Sequence, residues 1–465
     1  MIPEGGFVLE PYGLVLGGGG AKGGYEIGVW KALRELQIPI KAVTGTSVGA
    51  LNGALIVQGE FEKAIDIWTN LSIENVVKVE KEIEVAKESD KKFISIFNTI
   101  KNLITNGGLD VTPLRELINN ILDEEKIRKS DIDFGIVTFS LSDFKPVELF
   151  KDEIPEGSLA DYLLASACFP AFRPHEIGEK KFIDGGIYDN IPLGLMLKKD
   201  IRNIIVVDIS GVGLVRKVNK KGVNIVEIKN SDDLGGTLDF NGERSIKNIE
   251  LGYLDAMKAF GKFKGYKYFF KPNEEFDETK EMFRNLDIVY LKKFYSFLGL
   301  DFGAKKNTTN KIVLDKVIRT IQQYSNGKLS MDSIFPAMLE ITAEQLGIDR
   351  RRLYTLNELT DLILEEYQRT ISSDNFREKM PWINKLLTSR TQLEFDREIL
   401  KNGFEKKYLI SFDANASELD DKIKRFRRFV AMAFPKIMIS NMLIAFLLEK
   451  RTIESSKNEI VSESE

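Results

Sequence analysis

Thiols and imidazoles are almost missing from this chain: its 465 residues include one cysteine, Cys168, and one histidine, His175. A lone cysteine closes no intrachain disulfide, and the pair supplies too few soft ligands for a structural zinc site. Positive charge is not in excess either. Lys and Arg number 66 against 70 Asp and Glu, for a formal charge of −4 and a pI near 5.6, so no bulk attraction to nucleic acid is expected. The first residues, MIPEGGFVLEPY, lack the basic start, long apolar run and small-residue cleavage site of a secretory signal, and a cytoplasmic placement is expected. An unbroken membrane span is missing too. Phe429 to Leu448, FVAMAFPKIMISNMLIAFLL, is about long enough to cross a bilayer, but Pro435, Lys436, Ser440 and Asn441 interrupt it. A lysine at mid-bilayer costs several kcal/mol, on the order of 3, so a buried helix pair is the expectation there.

What is present is a globular composition, 43% hydrophobic and 29% charged, at a length sufficient for two or three domains. From Tyr12 to Pro272, short apolar runs (YGLVLG, IKAVTG, IDFGIVTFS, NIIVVDIS, KYFFKP) alternate with amphipathic stretches. Several runs are too apolar to have a wet face, which predicts an α/β domain over 1–272 with a largely parallel sheet covered by helices. Beyond it, ELTDLILEEYQRTI and KIKRFRRFVAMAF predict a mainly helical accessory or regulatory domain over 273–451, followed by a disordered polar tail, 452–465. The charged stretch Val76–Phe93 suits a solvated helix face or linker, or a mobile cover over a site. Two basic clusters, Arg350–Arg352 and Lys422, Lys424, Arg425, Arg427 and Arg428, suit solvated helix faces, an anionic lipid surface or a phosphorylated effector.

Two glycine-marked turns carry the chemistry. In LVLGGGGAKGGYEIGVW, Gly18, Gly20 and Gly23 fit G-x-G-x-x-G between a strand and a helix, yet no acid ends the next strand, IPIKAVTG, to hold a ribose. Ala21-Lys22-Gly23 also lacks the Lys-Ser/Thr ending of a phosphate loop. The second turn, GTSVG over Gly45–Gly49, reads G-x-S-x-G before the small-residue helix VGALNGALIVQ. Glycines on both sides of Ser47 permit the sharp bend that lifts a nucleophilic hydroxyl into the open; an ordinary strand-to-helix turn with serine as N-cap has the same pattern. A nucleophile needs a base. His175 is the sole imidazole, and Asp184, in FIDGGIYDNIP, ends an apolar run at a glycine turn, where an open sheet aims side chains into its crevice. Aspartate is ordinarily a weak base, and apolar neighbours would raise its pKa. A turn-forming Asp-Gly is the plainer reading of Asp184, and a surface loop that of His175. Cys168 has no basic neighbour in sequence and reads as a small core residue.

The blocks GGGGAKGGYEIGVWKAL, GTSVGALNGA, GLDVTPLREL, ASACFPAFRPHEI and DGGIYDNIP, in this order from Tyr12 to Ser210, resemble the patatin-like phospholipase family, in a bacterial type with an extra helical C-terminal region. The resemblance implies a three-layer α/β fold, hydrolysis of fatty-acyl esters of membrane phospholipids or lysophospholipids through a Ser-Asp dyad and an acyl-enzyme, and no metal or cofactor. It places the nucleophile on Ser47, the base on Asp184, and the oxyanion loop on Gly18, Gly19 and Gly20, with Lys22 where the family carries a basic residue; bracing the loop, meeting a phosphate and a plain exposed lysine are the open readings of Lys22. Val48 N–H, just after the nucleophile, is a further oxyanion donor. The expected partner is a phospholipid surface at the inner face of the membrane, with an activating ligand or protein acting through the helical region. Two alternatives stay open: an acyltransferase with His175 as base, and a regulatory or binding protein on a hydrolase scaffold.

Overall fold

A computed structural model describes residues 10–78, 108–272, 288–303, 308–372 and 421–462. The chain forms two compact units, Met1–Lys262 and Phe263–Glu465. In the first, the strands are β1 (Tyr12–Leu16), β2 (Ile40–Thr46), β3 (Asp133–Ser140), β4 (Lys145–Phe150), β5 (His175–Ile177), β6 (Lys180–Asp184), β7 (Asn203–Asp208) and β8 (Asn224–Lys229). They share one sheet, in which β3-β2-β1-β7-β8 pair in parallel while β4 and β6 run antiparallel to β3, and β5 antiparallel to β6. Successive strand residues face opposite sides. Leu14, Val15 and Leu16, and likewise Ile204 to Val207, are all buried, so the centre of the sheet is covered on both faces.

The flanking helices are α1 (Gly24–Glu35), α2 (Val48–Gln58), α3 (Phe61–Asn70), α4 (Thr112–Ile121), α5 (Glu124–Lys129), α6 (Leu159–Ser166), α7 (Leu193–Met196) and α8 (Gly242–Ala259). The apolar positions Tyr25, Val29, Ala32 and Leu33 of α1 are buried as their helical spacing requires, and Tyr25 also donates its hydroxyl to Asp255 on α8 (2.9 Å). Of the charged stretch Val76–Phe93, only Val76, Val77 and Lys78 lie within the described residues, and both valines are buried.

The second unit contains α9 (Ile288–Phe297), α10 (Thr308–Tyr324), α11 (Met331–Leu346), α12 (Leu356–Ser372), α13 (Asp421–Ala433) and α14 (Pro435–Ser462) around an apolar core that includes Leu298, Phe335, Leu359 and Val430. KYFFKP does form a strand, β9 (Phe269–Phe270), but it pairs with β10 (Leu353–Tyr354) inside this unit instead of joining the central sheet. Buried Glu340 holds it there by accepting the N–H groups of Tyr266, Lys267 and Tyr268. The break between the units therefore falls ten residues before the expected 272/273 boundary. The expected polar tail is also not loose at its start: α14 continues through Ser462, consistent with the helix-favouring Glu and Lys of that stretch.

No single helix among the described residues is long and apolar enough to cross a membrane; Ile423–Ala433 and Pro435–Arg451 form a pair bent by 116°. Pro435 breaks the chain between them and starts the second helix, where its missing N–H leaves no bond unmade. Polar groups along that helix are satisfied locally. Lys436 pairs with Glu344 at 2.9 Å, and the Ser440 and Asn441 side chains donate to backbone carbonyls one turn back. The two basic clusters do not form a uniform surface. Arg351 pairs with Asp349, Arg352 stacks on Tyr354, Lys424 pairs with Asp301, and Arg427 is buried over Phe297.

Candidate active site

Ser47 sits between the last residue of β2 and the first of α2, with φ 56° and ψ −126°. That left-handed backbone strains any side-chain-bearing residue, and such strain persists only where the surroundings hold it. Here they do. The Ser47 N–H donates to Ser166 Oγ (2.9 Å), whose hydroxyl donates to the Val137 carbonyl (2.7 Å), and Thr46 Oγ1 donates to the Asp189 carbonyl (2.8 Å). A Cβ on Gly49 would lie 2.5 Å from the Leu16 carbonyl oxygen, so the bend needs glycine there for close approach. The serine holds the N-cap position of α2, but its side chain makes no capping bond to the helix.

The register of β3 explains why Asp184 is nearby. β4 pairs along Gly135–Ser140 on one edge of β3, leaving the other edge for both β2 and β6. β2 runs parallel to β3 and ends with Thr46 opposite Val137; β6 runs antiparallel and ends with Asp184 opposite Thr138. Two strands thus arrive head to head on consecutive residues of one edge, bringing together side chains far apart in sequence. Ser47 lies close enough to the Asp184 carboxylate to draw its pKa down, and that carboxylate accepts the Gly186 N–H at 2.7 Å. Burial pushes the Asp184 pKa up to about 6, against the opposing pull of those two groups.

The glycine loop lies beside this pair, with one correction to the expected donors. Gly18 N–H is already committed to the Asn190 carbonyl (2.9 Å), so it is not free to meet an oxyanion. Gly18 serves close packing instead, since a Cβ there would fall 2.4 Å from Asn190 Oδ1 and 3.2 Å from Ser47 Cβ. Gly19, Gly20 and Val48 do line the cleft with Ser47 and Asp184. Lys22 braces the loop, its Nζ donating to the Ser210 carbonyl (2.7 Å). Asn190 and Ser166 are the supports that sequence reading missed. Asn190 also donates through Nδ2 to the Gly18 carbonyl (3.1 Å), and its place six residues after Asp184 in DGGIYDN was the available signal.

His175 is held elsewhere. It is buried in β5, with Nε2 3.0 Å from Asp161 Oδ1 and Nδ1 3.2 Å from the Arg115 guanidinium, and it is not among the residues lining the cleft. Both ring nitrogens are occupied, which removes it as the base for Ser47. Burial lowers its pKa. Cys168 is fully buried, and burial pushes its thiol up to about 12, so it stays an uncharged core residue.

The space in front of Ser47 is a cleft with mainly apolar walls, among them Leu51, Leu55, Trp68, Leu114, Phe169 and Phe172. Among the polar residues lining it is Asn52, which belongs to a network reaching behind the wall. Asn52 donates to Glu26 Oε2 (2.7 Å) and to the Gly23 carbonyl (3.0 Å), and accepts the Trp68 indole N–H (2.9 Å). Glu26 is fully buried, and burial pushes its pKa up to about 8.

Residues 14–197 match the family model described as patatin-like phospholipase. This chain carries a patatin-like phospholipase domain. Over 199 residues, 42% of this chain, it is 25% identical to patatin-like phospholipase domain-containing protein 7 of Rattus norvegicus. Over 204 residues it is 29% identical to the neuropathy target esterase sws of Drosophila melanogaster. Each match spans 13% of the relative's own length. Among solved structures, VipD from Legionella pneumophila aligns over 94% of this chain and 91% of its own, at 14% identity and a TM-score of 0.33. The matched region ends at residue 197, just after α7, so β7, β8, α8 and the whole second unit lie beyond it.

Proposed function

We propose that the chain is a serine lipid acyl hydrolase acting on fatty-acyl esters of membrane phospholipids or lysophospholipids. The observation that carries this reading is the meeting of Ser47 and Asp184, brought together by β2 and β6 on one edge of β3, at an apolar cleft. Asp184 takes the Ser47 proton as Oγ attacks the ester carbonyl carbon. The resulting oxyanion lies against the N–H groups of Gly19, Gly20 and Val48, at the positive end of α2. When the C–O bond breaks, the leaving alkoxide receives the proton from Asp184 and the acyl group stays on Ser47. Water then gives a proton to the same carboxylate as it attacks the acyl-enzyme; collapse returns that proton to Ser47 and frees the fatty acid. Leu51, Leu55 and Phe172 supply the kind of wall an acyl chain needs.

A fluorophosphonate probe is expected to label the wild-type chain and not Ser47→Ala. Vesicles incubated with the wild type should yield free fatty acid, with at least a 1000-fold loss on the order seen for triad residues in both Ser47→Ala and Asp184→Asn. Absence of both labelling at Ser47 and ester hydrolysis would favour the binding-protein alternative.

A further inference from the structure

We propose that the loop from Ser210 to Lys221, which follows β7, docks the chain on an anionic phospholipid bilayer and sets the cleft mouth against it; the proposal builds on the lipid acyl hydrolase reading. Its sequence, SGVGLVRKVNKK, carries four cations and no acid. Val212, Leu214 and Val215 are 74%, 63% and 59% exposed, three large aliphatic side chains within four residues. Lys217, Lys220 and Lys221 follow, all exposed. An apolar tip flanked by lysines is the pattern that sinks into the headgroup–acyl boundary while its charges meet lipid phosphates. Lysine is depleted at protein–protein interfaces, and the loop offers none of the aromatic anchors such interfaces favour, so a bilayer fits this surface better than a protein.

The loop is not a loose appendage. Leu214 N–H donates to the Gly186 carbonyl (2.8 Å) and the Leu214 carbonyl accepts the Asn190 N–H (2.6 Å). Arg216 N–H donates to Asp189 Oδ1 (3.3 Å), and the Arg216 guanidinium lies over the Tyr188 ring. Gly211 packs so closely on the glycine loop that a Cβ would fall 1.8 Å from the Gly18 carbonyl oxygen, and one on Gly213 would fall 2.7 Å from that of Gly186. The backbone is therefore fastened to the glycine loop and to the turn after Asp184, while its aliphatic side chains are held outward. Holding them in place beforehand removes the ordering cost of insertion. Val212 is shared between the two roles, exposed at the tip and lining the cleft. A lipid leaving the bilayer beside it has its ester next to Ser47.

The test uses the full chain carrying Ser47→Ala, so that binding is read without turnover. It should co-sediment with equimolar phosphatidylcholine–phosphatidylglycerol vesicles and much less with phosphatidylcholine alone. Leu214→Ser/Val215→Ser should lower the partition coefficient about tenfold, as two partly inserted aliphatic side chains are lost. Lys217→Gln/Lys220→Gln/Lys221→Gln should lower it roughly a hundredfold at low salt, with the gap closing at high salt. In the wild-type background both variants should hydrolyse soluble p-nitrophenyl butyrate within about twofold of the parent, which also shows that they fold. Unchanged vesicle binding in both variants, or no binding by Ser47→Ala itself, overturns the proposal. So does a change of oligomeric state in Leu214→Ser/Val215→Ser with vesicle affinity intact, which would assign the surface to protein. A wild type that hydrolyses neither vesicles nor soluble ester would instead defeat the hydrolase reading, whatever the binding result.

Discussion

Asp184→Asn should make the protein more stable at neutral pH while ending its activity. The carboxyl is buried, and its pKa rises from 3.8 to about 6 on folding. With an acid whose folded pKa is raised, the folded state holds its proton more tightly than the unfolded one, so stability falls as pH climbs between the two values. The penalty is absent below about pH 4 and complete above about pH 6. Two pH units at about 1.4 kcal/mol each put it near 3 kcal/mol as an upper figure. Asparagine keeps the shape and can still accept the Gly186 N–H, but it has no proton to lose. The difference in unfolding free energy between Asp184→Asn and wild type should therefore grow by up to about 3 kcal/mol from pH 4 to pH 7.5. Urea denaturation at several pH values reads this directly. Glu26, also raised, titrates in both proteins and cancels in the difference. A difference that is flat across pH 4 to pH 7.5, or an Asp184→Asn protein that still hydrolyses ester, would refute the reasoning.

Two further outcomes follow from the same geometry. His175→Ala should leave turnover of a soluble ester within about threefold of wild type while lowering unfolding free energy by about 1 to 3 kcal/mol, because it leaves Asp161 and Arg115 without their shared partner. Steady-state kinetics and denaturation on the same preparation separate the two effects. Leu55→Trp, which fills part of the cleft wall, should lower the preference for long-chain over butyryl esters by about tenfold or more with little change for the short ester.

Much of the first unit could be read from its residues, for identifiable reasons. The strands with continuous apolar runs, β1, β2, β3 and β7, are buried on both faces, and that is the case in which composition alone marks a strand. β4 and β8 are half-exposed and carry charge, so KPVELF and NIVEIK give no such run. KYFFKP has the right composition for the central sheet, but its place depends on Glu340, more than seventy residues later, accepting its backbone N–H groups. Ser47 was marked by its flanking glycines because the bend leaves no room for other residues. The commitment of Gly18 N–H was invisible, since it depends on the Asn190 carbonyl returning from the far side of the domain.

Two buried carboxyls on this one scaffold show what sets the protonation of each. Glu26 is fully enclosed behind the cleft wall, its Oε1 meets no hydrogen-bond donor, and its pKa rises to about 8, so at neutral pH it is a neutral acid tying Asn52 and α1 together. Asp184 is almost as deeply buried, but it borders the cleft, accepts the Gly186 N–H and has Ser47 close enough to lower its pKa. Its pKa stops at about 6. At neutral pH it is therefore mostly ionised, yet far more basic than a solvated aspartate, and that is the window a proton acceptor needs. A histidine reaches the same window without help, whereas an aspartate reaches it only when desolvation and two polar neighbours are set against each other. The head-to-head arrival of β2 and β6 on one edge of β3 provides both at once, because it buries the carboxyl at the point where the hydroxyl emerges.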